Sequence, residues 1–102
     1  MSYSPEQLLQ IEDIAAAGYE PKQVAFMLGV SPAEFCELIR DEESDVSIAY
    51  FKGLYSSEYA VRKSVMTLAQ SGSSPAQTMA MKIFDGTKQQ LAKDEYPGFI
   101  DE

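Results

Sequence analysis

Residues 21–40 read PKQVAFMLGVSPAEFCELIR, and the fold turns on this stretch. Pro21 opens a helix, because proline at the first helical position loses no hydrogen bond and has its φ already set. Gly29 closes it: the residue after a helix is often left-handed, and glycine has no Cβ to clash there. Ser31-Pro32 opens the next helix. The serine hydroxyl accepts from a free N–H of the first turn, and Glu34, three residues on, completes a capping box. Ala25, four positions before the glycine, is the small residue needed where two helices cross. Val24, Leu28, Val30, Phe35 and Leu38 fall at inward-facing spacings. This is the pattern of a helix-turn-helix, with Ala25 expected buried and Gly29 expected at positive φ. A plain αα-hairpin has the same internal pattern, so the motif predicts a geometry before it predicts contact with DNA.

The same punctuation recurs on both sides. Ser4-Pro5 with Gln7 and Ser74-Pro75 with Gln77 predict two more capped helix starts. Gly18 and Gly72 mark stops, and Ser44 is the expected cap of a long helix. Helices are expected at about 5–17, 21–28, 32–42, 45–71 and 75–93. No run alternates as a strand would. The fold class is therefore all-α, about five helices: an N-terminal helix-turn-helix three-helix unit (1–43), a long-helix hairpin (44–93) and an irregular acidic tail (94–102). The fourth helix places Phe51, Leu54, Val61, Val65 and Leu68 on one apolar stripe, widened by Tyr55, Tyr59 and Met66. So much apolar girth calls for more than one neighbour. Gly53, with Ser56 and Ser57, marks either a close helix crossing or a kink that divides the helix.

Composition narrows the function. The chain has 102 residues, enough for one core, and 45% of them are hydrophobic, too many for disorder. It has no histidine, which removes Ser-His and Cys-His nucleophile pairs and imidazole metal ligands. No glycine-rich phosphate loop occurs. A binding module without catalytic activity, cofactor or metal is expected. The single cysteine, Cys36, cannot form an internal disulfide and has no basic neighbour in sequence. It is read as an inert residue in a reducing, cytoplasmic compartment. The N-terminus MSYSPEQLL has no basic start, so no signal peptide is expected, and no apolar run is long enough to span a membrane.

The charge is polarised. The chain is net −8, and residues 1–45 carry ten acids against Lys22 and Arg40. Residues 46–93 carry Lys52, Arg62, Lys63, Lys82, Lys88 and Lys93 against Glu58 and Asp85. The second helix of the motif offers Ser31, Ala33, Glu34, Glu37 and Arg40 outward, a face that phosphates would largely repel. If DNA is bound, the candidate contacts are Lys22, Gln23, Ser31 and Arg40 near the motif and Lys52, Arg62 and Lys63 on the long helix. The acidic half alternatively docks a basic protein. The run Asp41-Glu42-Glu43-Ser44-Asp45 lacks the glycine and alternating ligands of a calcium loop and is read as a solvated turn. Tyr50, Tyr55 and Tyr59 fit helix packing or a subunit interface better than base stacking. The Met79, Met81, Ile83 and Phe84 cluster is read as packing. Tyr55, Tyr59, Met66, Met81 and Phe84 are the candidate interface between copies, because a small monomer would otherwise leave them in water. Aspartate at Tyr59 or Met66 is then expected to dissociate the assembly.

From AAAGYEPKQVAFMLGVSPAEFCELI through the acidic DEESD hinge to AYFKGLYSSEYAVRKSVMTLAQSGSSPAQTMAMKIFD, the chain resembles the small subunit of phage DNA-packaging terminases. The resemblance rests on Lys52-Gly53, Val61-Arg62-Lys63-Ser64-Val65, Ala69-Gln70-Ser71-Gly72 and Ser74-Pro75-Ala76-Gln77, in that order, over about residues 8 to 85. It implies a non-catalytic component of viral genome packaging that recognises double-stranded DNA, forms homo-oligomers, often rings, and recruits a terminase large subunit. The acidic second helix of the motif and the short chain depart from that family. The alternatives are a protein-interaction adaptor with an acidic helix-turn-helix face and a small helix-turn-helix transcriptional regulator.

Overall fold

A computed structural model of the chain describes residues 3–96. Five helices run α1 (Pro5–Ala16), α2 (Pro21–Leu28), α3 (Pro32–Arg40), α4 (Asp45–Gln70) and α5 (Ser74–Lys93), with no strand among the described residues. The all-α reading is correct. Residues 97–102 of the expected tail lie outside the described residues.

The helix starts follow from local hydrogen bonds. Ser4 Oγ accepts from Gln7 N at 3.1 Å and Ser4 N donates to Gln7 Oε1 at 2.9 Å, a full capping box. Ser31 Oγ accepts from Glu34 N at 3.3 Å. In α2 the same logic operates without serine: Glu20 N donates to Gln23 Oε1 at 3.1 Å. The cap of α5 is Ser73, not Ser74, because the Ser73 hydroxyl is the one that reaches the Ala76 N–H. Gln77, expected to complete a box with Ser74, instead donates from Nε2 to the Ala69 carbonyl at 3.1 Å.

Two compact units divide the chain inside α4, at Met1–Ala60 and Val61–Glu102. In the first, Ile11, Ala15, Val24, Ala25, Phe35, Ile39, Val46, Ala49 and Tyr50 form one buried core drawn from all four helices. Leu28, Val30 and Leu38 pack against it half-buried, and Ile39 rather than Leu38 takes the deeper place on α3. Ala25 is fully buried and Gly29 has φ 75°, as the motif requires. Val30 N reaches back to Ala25 O at 3.0 Å and Gly29 N to Phe26 O at 3.2 Å, which satisfies the last carbonyls of α2.

Two serines join α3 to α4. Ser44 Oγ accepts from Ser47 N at 3.0 Å and donates to Leu38 O at 2.6 Å. The buried Ser47 Oγ donates to Ile39 O at 2.9 Å. The orphan carbonyls of one helix and the free N–H groups of the next are thus satisfied together. α4 is unbroken through Gly53, so the kink reading is set aside in favour of the close crossing. A Cβ built on Gly53 would overlap the backbone carbonyl oxygen of Glu12 and lie 2.8 Å from its carbonyl carbon. The missing side chain is what lets α4 seat against α1.

In the second unit, the end of α4 turns back through Gly72 (φ 100°) into α5. Val65, Ala76 and Ala80 are its buried apolar residues. Val61 and Leu68 depart from expectation. They belong to the apolar stripe read from sequence, yet they are 61% and 56% exposed. Neither has a neighbour to cover it among the described residues of the unit. No described helix is long and apolar enough to cross a membrane.

Tyr50 ties the first unit together over a long separation: its hydroxyl donates to the Tyr19 carbonyl at 2.7 Å. Burial, and then the charge of Glu20, push its pKa above the usual 10.0. A phenol whose folded pKa exceeds its unfolded value contributes stability that is intact below pH 10 and is lost as pH rises through the folded pKa. Alkaline unfolding followed by circular dichroism is expected to start above pH 10. Tyr50→Phe should soften that loss and cost about 1 kcal/mol at neutral pH.

Candidate nucleic-acid interface

The helix-turn-helix turn is Gly29-Val30-Ser31, which leaves α3 with Phe35 and Ile39 inward and Ala33, Glu34, Glu37 and Arg40 in solvent. In a DNA-binding motif of this kind the second helix enters the major groove. Here two carboxylates occupy that face. Glu34 and Glu37 line a shallow hollow with Tyr3 and Leu38. Burial, then the charge of Glu34, raise the Tyr3 phenol above its usual pKa.

The other candidate contacts are placed as follows. Lys22 and Arg40 are exposed in the first unit. Gln23 and Ser31 are exposed too; their oxygens accept in the caps of α2 and α3, which leaves the Gln23 amide N–H groups and the Ser31 hydroxyl hydrogen to donate to a phosphate. Lys52 is exposed and lies 3.8 Å from a Glu12 carboxylate oxygen. So exposed a pair is worth at most about 1 kcal/mol and yields easily to a phosphate. Arg62 and Lys63 fall in the second unit, Lys63 exposed and Arg62 half-buried. The first unit brings Lys22, Arg40 and Lys52 into one body. The acids of that body outnumber them, for the entire net charge of −8 resides in residues 1–60 while residues 61–102 carry five bases and five acids.

The candidate interface residues also divide. Met66, Met81 and Phe84 converge with Ala69 and Ala80 on an open apolar groove of about 460 Å³ in the second unit. Tyr55 belongs to the first unit, where it lines a different groove with Ile48 and Phe51. Tyr59 is exposed on the same helix. Met79, grouped with the packing residues of α5, is exposed as well. Phe26, Met27, Ile48, Leu9 and Tyr19 are exposed apolar residues that were not singled out from sequence. Phase alone identifies the first two, since Val24, Ala25 and Leu28 point α2 inward on the opposite side.

The acidic run forms a turn. Asp41 Oδ1 accepts from Glu43 N at 3.1 Å and Ser44 N donates to Asp41 O at 3.0 Å, so one Asp41 carboxylate oxygen is committed to the turn itself. No family model matches the chain, and neither the curated proteins nor the solved structures include a match to it.

Proposed function

We propose that the chain is a non-catalytic DNA-binding component of phage genome packaging, similar to a terminase small subunit, which holds double-stranded DNA and recruits the large subunit. The observation that carries this reading is the α2–α3 pair: a fully buried Ala25 at the crossing, a left-handed Gly29 and an α3 open to solvent. DNA is held by its phosphates rather than read by α3, because Glu34 and Glu37 stand where base-reading donors would be. The phosphates fall to Lys22, Gln23, Ser31, Arg40 and Lys52 and to Arg62 and Lys63. Charge reversal at Arg40, and separately at Arg62 and Lys63, should weaken every duplex alike and reduce the salt slope by about 1 for each phosphate no longer neutralised. Unchanged binding in both variants removes the physical support for this reading.

Self-association belongs to the same proposal. Two copies of the first unit repel, each carrying −8, whereas the second unit is balanced and offers Met66, Met81 and Phe84. Copies joined there present several helix-turn-helix units, and avidity offsets weak single contacts. Light scattering at micromolar concentration should give a mass well above 11.3 kDa. Phe84→Asp should return it to the monomer. A monomeric wild-type chain would contradict the assembly and favour the adaptor reading, to which the exposed Glu34, Glu37 and 41–45 carboxylates already lend weight.

A further inference from the structure

The start of α4 carries an apolar groove with an acidic edge, and we infer that it docks a basic amphipathic helix from another protein. The groove, about 340 Å³, is lined by Glu42, Ser47, Ile48, Phe51 and Tyr55, all in the first unit. Ile48 is 55% exposed and Tyr55 58% exposed, large apolar areas that no described residue of the first unit covers. Positions 48, 51 and 55 are spaced as one face of a helix, the register at which a second helix lays its own apolar stripe.

The floor is preformed. Phe51 stacks on Tyr55 with ring centres 5.7 Å apart and meets the Tyr50 ring edge-on at 5.2 Å. Tyr50 is in turn anchored by its hydrogen bond to Tyr19, and Ser47 by its bond to Ile39. A rigid aromatic floor loses little side-chain freedom on binding.

Charge selects the occupant. Glu42 lines the groove, Asp41 and Glu43 are exposed beside it before α4, and Asp45 is exposed at the start of α4. The unit around it is net −8. A nucleic acid is repelled from such an edge, and so is a second copy of this unit. A helix with leucine-like residues at the groove spacing and lysine or arginine on its flanks fits both the apolar floor and the rim. This docking does not depend on DNA binding, because it uses none of the candidate phosphate-binding residues.

The test uses the full chain with Ile48 methyls labelled for NMR. The probe is a synthetic helical peptide of roughly 14 residues, leucines at the i, i+3, i+7 spacing and lysines on the flanks. A second peptide carries glutamate in place of every lysine. The lysine peptide should shift the Ile48 methyl resonances and bind at least about tenfold more tightly than its glutamate twin, with affinity falling as salt rises. Glu42→Lys with Glu43→Lys, both exposed and outside the core, should erase that preference. Tyr55→Ala should weaken the lysine peptide while leaving the circular dichroism spectrum unchanged. Equal binding of both peptides, or shifts confined to residues 61–96, would each overturn the assignment.

Discussion

Gly53→Ala is expected to destabilise the first unit by about 1–3 kcal/mol, which is the reverse of what helix propensity predicts. Gly53 lies inside α4, where glycine costs about 1 kcal/mol relative to alanine, so an uncrowded substitution would stabilise. Steric overlap decides the sign. The added methyl would occupy the space of the Glu12 backbone carbonyl, and backbone cannot swing aside as a flexible side chain can. α4 would have to lift off α1, opening the core around Ile11 and Ala15. Gly86→Ala is the control: it lies within α5 with nothing within 4 Å of the new Cβ. It should gain up to about 1 kcal/mol. Thermal unfolding by circular dichroism separates the two, at about 4–8 °C per kcal/mol for a domain of this size. Equal shifts in the same direction would show that the α1–α4 crossing is not as close as described.

Phe35→Ala should have the larger absolute effect, about 3–5 kcal/mol. Phe35 is fully buried, meets the Tyr3 ring edge-on at 6.3 Å and belongs to the core that holds α3 against α1, α2 and α4. Against a total stability of about 5–15 kcal/mol for a domain, the helix-turn-helix would be marginal or unfolded. Denaturant titration should show a lower midpoint, and DNA binding should fall with it. A loss below about 1 kcal/mol would mean that the core collapses around the gap and that α3 is held by something else.

What the sequence made legible was mostly local chemistry. Ser4, Ser31, Gly29 and Gly72 act through hydrogen bonds or dihedrals within a few residues, so their roles can be read without knowing the fold. Ser73 and Ser74 show where this stops. Adjacent serines offer the same hydroxyl, and only the geometry of the turn decides which one reaches Ala76. The Glu20–Gln23 bond was legible in principle, as an acid before proline with glutamine at the box position. Val61 and Leu68 were beyond reach for a different reason. Periodicity says which face of a helix is apolar, but whether a neighbour covers that face is a tertiary fact. The groove at Ile48, Phe51 and Tyr55 was hidden in the same way, since Phe51 and Tyr55 read only as parts of the apolar girth of the helix and Ile48 was not singled out. The candidate phosphate-binding residues were legible from their side-chain chemistry, but the second role of two was not: the oxygens of Gln23 and Ser31 also serve as caps.

The central claim is that this acidic chain nonetheless holds DNA by its phosphates. The direct measurement is the affinity of the wild-type protein for a labelled duplex, phage-end sequence against unrelated sequence, across a salt series. The account predicts binding at low salt that falls linearly in log–log form with a slope near −0.9 for each phosphate neutralised, similar for both duplexes. No binding at about 50 mM salt, or a slope indistinguishable from zero, would contradict it.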